Sequence, residues 1–313
     1  MIHPKVNIIL ATYNGGRFLK EQLDSLINQT YNNISIYIRD DGSTDNTIDI
    51  INEYISNNSS SKEIILLNDN AGNLRCPGSF YKILNDCDSA DYYAFCDQDD
   101  IWYEDKIKWA VEKLEQRKKQ NKDDSIPIVY YSGYEYYTDG GEFIRHSSRQ
   151  NENPTVNDVI YYTPASGFVL VFNEAARQQF IVNVDPGKEL HDRWLLRCAI
   201  TMGQTIYDPR YTATHIRHAE AVTADNSSNK NLIVGFVKKE IMGQEMIEAK
   251  KNLIHFCNVF QDRLNSKDRK ILNKFTKKNS PIAQLQKLLY PHRLRPRMAG
   301  EIALRFIFLF GRC

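Results

Sequence analysis

The sequence predicts an α/β fold, a parallel sheet covered by helices on both of its faces. Over the first 120 residues, short apolar runs alternate with segments whose apolar residues recur at helical spacing. Three of the apolar runs also end in polar clusters, TYNGG, DDGSTD and DQDD. Because ligands of open parallel sheets bind beyond the carboxyl ends of the strands, we expect these clusters to gather on one rim.

Each element follows from its own pattern. The first strands are predicted from the apolar runs 6–11, 34–38, 63–67 and 92–96. Helices are predicted from the apolar stripes of 18–27, 45–55, 80–87 and 103–119, with Asp45 as N-cap of the second. After Pro127 we predict strands at 128–137, 165–172, 204–208 and 211–216, a helix starting at His191, and loops over 139–160.

Charge is distributed unevenly along the chain. The net charge of +1 gives no argument for a nucleic-acid partner, and none is expected. From Gln261 onward, 13 Lys and Arg face only 3 Asp and Glu, so this segment carries +10 and the first 260 residues carry −9. We predict an α/β domain over 1–225 and a basic, mainly helical extension over 226–313.

Cysteine usage indicates the compartment. The six cysteines contain no C-x-x-C pair and Cys96 lies inside a predicted strand, so reduced thiols are expected rather than disulfides or zinc ligands. No apolar segment typical of a secretion signal follows Met1. We therefore predict a cytoplasmic protein.

The acidic cluster 97–100 has two interpretations. Acids at a helix start favour the positive end of the helix dipole, which is a purely structural explanation. Alternatively, the carboxylates hold Mg²⁺ or Mn²⁺, and the cation holds a diphosphate that carboxylates alone would repel. A calcium loop starting at Asp97 fits the sequence less well, because Trp102 occupies the position that requires glycine.

The other two clusters also have alternatives. Residues 40–45 suit a turn with a helix cap, or a carboxylate that accepts hydrogen bonds from a pyrimidine N–H or a ribose hydroxyl. A calcium loop from Asp41 fails, since Asn52 stands where a bidentate carboxylate is needed. Neither G-x-G-x-x-G nor G-x-x-x-x-G-K-[ST] surrounds the Asn14–Gly16 turn, so dinucleotide and P-loop sites are not supported.

Two stretches carry a family resemblance. VNIILATYNGGRFLKEQLDSLINQTYNNISIYIRDDGSTDNTIDII (6–51) and ADYYAFCDQDDIWYEDKI (90–107) resemble glycosyltransferase family 2. The resemblance implies a GT-A fold, a Rossmann-like nucleotide-binding mixed sheet flanked by helices, over roughly residues 5–220. The D-Q-D-D-x-W form, with HDRW downstream, is similar to bacterial rhamnosyltransferase-like members that build surface polysaccharides.

The resemblance also implies roles for individual residues. Asp192 of HDRW matches the catalytic base, and Asp99 matches the metal-ligating acid of the D-x-D pair. His218 stands where many members have a histidine near the diphosphate or metal, although Ala219 replaces the glycine that often follows; a structural histidine is the alternative. The positions that match nucleotide-binding residues are Ala11, Tyr13, Asn14, Asp41, Arg75 and Asp97.

The implied reaction is inverting transfer of a sugar from a nucleoside diphosphate to a hydroxyl of a glycan or lipid-linked saccharide. Resemblance favours dTDP-L-rhamnose as donor, with UDP-hexoses next. A sugar nucleotidyltransferase is less suited, because residues 11–20 offer only Arg17 and Lys20 to a triphosphate. A non-catalytic nucleotide-sugar-binding protein would have no use for a base at Asp192.

The segment 291–313 has two interpretations. Its apolar stretch, 302–310, is interrupted by Arg305 and is far shorter than the ~20 residues that span a bilayer. It is either a terminal helix packed on the protein or a basic amphipathic segment lying on an anionic membrane. The second interpretation gives peripheral attachment to the inner face of the cell membrane, where a lipid-linked acceptor would be within reach.

Overall fold

The computed structural model describes residues 3–121, 123–183, 189–217 and 245–311. Its strands are β1 Val6–Thr12, β2 Ile34–Asp40, β3 Glu63–Leu66, β4 Tyr92–Cys96, β5 Asp100–Trp102, β6 Ile128–Thr138, β7 Phe143–His146, β8 Leu170–Asn173 and β9 Gln204–Arg217. Its helices are α1 Leu19–Ile27, α2 Thr47–Asn57, α3 Arg75–Asp86, α4 Lys106–Gln120, α5 Glu174–Asn183, α6 His191–Met202, α7 Glu245–Val259, α8 Ser266–Thr276, α9 Pro281–Leu288 and α10 Met298–Leu309.

The strands of the described residues form one mixed sheet in the order β3-β2-β1-β4-β8-β6-β9-β5, with β7 paired to β6. The first half is parallel: β2 and β4 flank β1, and β3 lies beyond β2. Consecutive residues of β1, such as Ile8, Ile9 and Leu10, are fully buried. Burial of both alternating sets means that both faces of this half are covered, as the apolar run predicts.

The second half departs from the all-parallel prediction. β8 runs antiparallel to β4 and β6, β5 runs antiparallel to β9, and only the β6–β9 pair is parallel. The mixed sheet implied by the family resemblance is therefore correct. Strand direction depends on which segments pair across long sequence separations, which periodicity does not encode.

Several element boundaries also differ from the predictions. The N-cap of α2 is Asn46, while the Asp45 carboxylate accepts hydrogen bonds from the N–H groups of Thr47 and Gly16 at 3.0 and 2.9 Å. β5 and β7 were not predicted. β5 is three residues long inside the acidic cluster, and β7 lies in the polar stretch expected to be loop.

Two compact units divide the chain: one comprises 1–152, 165–199 and 203–218, the other 153–164, 200–202 and 219–313. The first unit holds the sheet. The second has its own core, in which Phe275 and Phe308 pack with Tyr161. The predicted domain boundary at 225/226 lies outside the described residues. No helix in the described part of the chain is both long and apolar enough to cross a bilayer.

Candidate active site

Three polar clusters meet at the carboxyl edge of β1, β2 and β4, as the sequence predicts. The Gln98 side chain joins two of them: its Oε1 accepts from the Tyr13 N–H at 2.9 Å, and its Nε2 donates to the Tyr13 carbonyl at 3.1 Å. A Cβ at Gly15 would lie 2.3 Å from Gln98 Oε1, so a larger residue here would have to displace this amide. The loops after β1 and β4 are thus locked together by one amide.

Asn14 attaches the third cluster. Its N–H donates to Ser43 Oγ and its Oδ1 accepts from the Thr44 N–H, both at 2.8 Å. Its φ of 47° lies in the left-handed region, which asparagine tolerates better than most residues. The Tyr13 side chain is about half exposed. Ala11 lies two residues earlier, in β1, and pairs with Arg39 of β2.

Arg39 is a functional-site residue that the sequence analysis missed. It is 1% exposed, and its guanidinium donates to the Asp41 carboxylate and bidentately to Asp69 at 2.8 and 3.1 Å. The remaining donors reach the Gly72 carbonyl at 2.6 Å and Ser79 Oγ at 3.0 Å. An arginine inside an otherwise apolar strand, next to two acids, was the signal that could have revealed this network.

Asp41 holds the loop that precedes α3. Its carboxylate accepts from the N–H of Leu74 at 2.7 Å and from the N–H of Arg75 at 2.6 Å. Burial alone would raise the pKa of Asp41, but these N–H groups and the Arg39 guanidinium lower it below its ordinary value. Arg75 has a φ of 57° and an exposed side chain. By accepting from the Arg75 N–H, Asp41 fixes the backbone position of this exposed arginine.

Replacing Arg39 by methionine is expected to lower the free energy of unfolding by about 3–5 kcal/mol, because two carboxylates lose their buried cation. The matched control is Arg17→Met, which breaks a pair with Asp139 whose side chains are 69% and 36% exposed. That pair is expected to contribute less than about 1 kcal/mol. Urea titration monitored by tryptophan fluorescence measures both, and equal losses would contradict the assignment.

The acidic cluster itself carries strong mutual repulsion. Burial raises the pKa of Asp97 well above its ordinary value, and the charges of Asp100, Asp99 and Asp192 raise it further. Asp100 is fully buried, and its Oδ2 has no hydrogen-bond partner in the described residues. Asp192, 95 positions after Asp97 in sequence, therefore lies close enough to act on the cluster electrostatically.

Two basic side chains face this cluster from within the protein. His215 of β9 lies opposite Asp100 of β5, with Nδ1 2.7 Å from Asp100 Oδ1. Burial favours the neutral imidazole, but Asp100, Asp99 and Asp97 raise the pKa of His215 above its ordinary value. Lys106 is fully buried, donates to the Phe168 carbonyl at 2.8 Å, and has its pKa lowered to about 7 by burial. Sequence spacing contains no signal for the His215 contact.

Asp192 lies in the first turn of α6, and its Oδ1 accepts from the Arg193 N–H at 2.6 Å. Burial raises the pKa of Asp192 to about 6, against the lowering effect of Arg193. The preceding His191 is buried and stacks on Phe80 with ring centroids 4.2 Å apart. Burial lowers the pKa of His191 to about 3, so it is a neutral anchor for the start of α6 rather than a proton donor.

The residues present suit a hard divalent cation. Carboxylate oxygens are its preferred donors, and burial together with the charges of Asp100 and Asp99 raises the pKa of Asp97, so a cation at this rim would favour the ionised carboxylates. No group of three or more His, Cys, Asp or Glu side chains in the described residues is arranged to hold an ion alone. Mg²⁺ commonly uses one or two carboxylates together with phosphate and water, and the single carboxylate of Asp99 fits that mode. His218 lies outside the described residues.

The comparisons decide the family. The glycosyl transferase family 2 model matches residues 7–175, more than half of the chain. The chain belongs to this family. It is 31% identical over 231 residues to RfbG, a dTDP-rhamnosyl transferase of Shigella flexneri, a match that covers 71% of this chain and 75% of the relative.

Solved structures support the fold. TarS 1–349 of S. aureus in complex with UDP-GlcNAc is similar with a TM-score of 0.56 at 15% identity, covering 98% of this chain and 89% of that one. A mannosyltransferase, PcManGT of Pyrobaculum calidifontis, in complex with GDP-Man and Mn²⁺, gives a TM-score of 0.50 at 13% identity, covering 99% and 86%. The GT-A fold implied by the sequence is confirmed, and the protein is a glycosyltransferase.

Proposed function

We propose that this family 2 enzyme is an inverting transferase that moves a sugar from a nucleoside diphosphate to an acceptor hydroxyl. The observation that carries the proposal is Asp192, a carboxylate with its pKa raised to about 6, placed within electrostatic reach of Asp97 at the strand rim. Direct displacement of a diphosphate requires one base to accept the proton of the acceptor hydroxyl, and positive charge to stabilise the leaving diphosphate.

In the proposed step, Asp192 removes the proton of the acceptor hydroxyl while that oxygen attacks the anomeric carbon. The bond between the anomeric carbon and the diphosphate oxygen breaks, and its electron pair leaves with the diphosphate. Attack opposite the leaving group inverts the anomeric centre. A carboxylate with a pKa of about 6 is mainly ionised at neutral pH and is a stronger base than an ordinary aspartate.

The donor would be held by groups from all three rim loops. We assign the base and ribose to Ala11, Tyr13, Asn14, Asp41 and Asp97, and a phosphate contact to the exposed Arg75. Asp99, with His218 as a further candidate, would hold Mg²⁺ or Mn²⁺, which supplies positive charge to offset that of the departing diphosphate. The Mn²⁺ of the PcManGT complex supports a divalent cation as cofactor.

dTDP-L-rhamnose is the proposed donor, supported by the match to RfbG. UDP-sugars come next, supported by the UDP-GlcNAc complex of TarS. We assign catalysis to the domain of residues 1–225 and propose a surface glycan or a lipid-linked saccharide as the acceptor. We also propose a cytoplasmic location, with which the free thiols of the described cysteines agree.

The transfer reaction is tested by incubating the full chain with a panel of nucleotide sugars and Mn²⁺, with and without saccharide acceptors. Release of nucleoside diphosphate that depends on acceptor is the expected result. Pyrophosphate chemistry would instead indicate a nucleotidyltransferase, and binding without turnover across the panel would indicate a nucleotide-sugar-binding protein.

A further inference from the structure

The second unit exposes an unusual concentration of large apolar side chains. Eight of the fourteen exposed large apolar residues in the described part of the chain fall within residues 282–310, and each is at least 50% exposed. We call these eight the apolar ridge: Ile282, Leu285, Leu289, Met298, Ile302, Phe306, Leu309 and Phe310. Scattered single apolar residues are normal on a protein surface, but a concentration of this kind indicates a binding surface.

The ridge belongs to two folded helices. On α10, Met298, Ile302 and Phe306 recur every fourth residue and share one face, while Leu304 and Phe308 are buried on another. Ile282 and Leu285 of α9 are exposed in the same way, as is Leu289, the residue that caps the end of this helix. α10 therefore has two apolar sides, one buried in the unit and one exposed to solvent, whereas the buried side of α9 consists of Ala283 and Lys287.

Arg305 ties the two helices together. Its guanidinium donates to the carbonyls of Lys287, Leu288 and Tyr290 at 3.0, 2.8 and 2.8 Å. It also pairs with Glu301, which is 6% exposed and caps the backbone N–H of Leu294 at 2.8 Å. The arginine that interrupts the apolar stretch in the sequence is thus an internal clamp, and the exposed faces are held by a defined structure.

The segment that carries the ridge is strongly basic. Residues 269–311 contain ten Lys and Arg and one acid, Glu301, which is buried against Arg305. The exposed bases are Arg269, Lys270, Lys274, Lys277, Lys278, Arg293 and Arg297. A second copy of this surface would be repelled by the first, whereas an anionic surface complements it.

We propose that the apolar ridge docks the enzyme on an anionic lipid bilayer. The ridge would enter the boundary between headgroups and acyl chains while the surrounding Lys and Arg contact anionic headgroups. Since no helix of the described residues can cross a bilayer, the attachment is peripheral. The docking does not depend on the sugar transfer reaction, so either proposal can fail without the other.

The test is flotation of the full chain with vesicles of phosphatidylcholine alone or with phosphatidylglycerol. The wild type is expected to float with the anionic vesicles, and to float less at high salt because the ionic part is screened. The double variant Ile302→Gln/Phe306→Gln is expected to bind at least about tenfold more weakly, because two exposed apolar side chains no longer enter the bilayer. Lys277→Gln/Lys278→Gln is expected to lose part of the salt-sensitive binding.

The matched control is Phe143→Gln, which removes a similarly exposed aromatic side chain from β7 in the other unit. It should float like the wild type. The proposal is overturned if the wild type stays with the unbound protein, or if Ile302→Gln/Phe306→Gln floats equally well. It is also overturned if sedimentation without vesicles shows a dimer that this double variant abolishes, because the ridge would then be an interface between copies.

Discussion

Asp192→Asn is expected to lower kcat by at least about 100-fold, since general-base catalysis typically contributes about 10²–10⁴-fold. Donor affinity should stay nearly unchanged, because the amide keeps the size of the side chain and Asp192 is assigned to the acceptor proton. In the wild type, kcat/KM should fall as the pH drops through about 6, where Asp192 becomes protonated. Steady-state kinetics over a pH series, with calorimetry of donor binding, measures all three quantities.

Stability separates this loss from misfolding. The pKa of Asp192 is raised in the folded state, so its ionised form destabilises the fold above pH 6, and the asparagine variant should melt at the same temperature or higher. The matched control is Asp49→Asn, an exposed acid in the first turn of α2. That variant should retain wild-type kcat. An Asp192→Asn enzyme within about threefold of wild type would remove Asp192 from the role of base.

The half of the fold that follows β1 was predictable because local pattern and tertiary position agree there. Ile8, Ile9 and Leu10 are buried on both sides of the sheet, and a continuous apolar run is the pattern that such a strand requires. β5 was not predictable: its three residues form a strand only because Asp100 and Trp102 pair with β9, more than 100 positions later. Long-range pairing of this kind leaves no local period.

The candidate site shows the same division. Its rim was predictable, because parallel strands bring the residues after them to one edge. Its counter-charges were not. Sequence analysis could place Asp100 in an acidic cluster, but it gave no sign that the partner is His215, because that contact is set by the register between β5 and β9. The role of Arg39 could have been predicted more easily, because an arginine in a buried strand needs acidic side chains nearby to pair with it.

Asp99→Ala is expected to weaken metal-dependent binding of the nucleoside diphosphate by at least about tenfold, or roughly 1.4 kcal/mol. The physical reason is the repulsion already present at the rim: burial, Asp100 and Asp99 raise the pKa of Asp97, so an acidic rim repels a diphosphate unless a cation lies between them. Calorimetric titration with nucleoside diphosphates, with Mn²⁺, with Mg²⁺ and after EDTA, measures the effect. EDTA should also abolish turnover by the wild type.

The variant should respond to metal differently from the wild type, which distinguishes a lost ligand from a distorted loop. If Asp99 binds the cation, the wild type gains nucleotide affinity on addition of Mn²⁺ and Asp99→Ala gains little, while both bind similarly in EDTA. A distorted loop would weaken binding under both conditions. Asp124→Ala, which removes a surface carboxylate with a 76% exposed side chain, should behave as wild type throughout. Equal affinity of the wild type with and without metal would exclude the cation from donor binding.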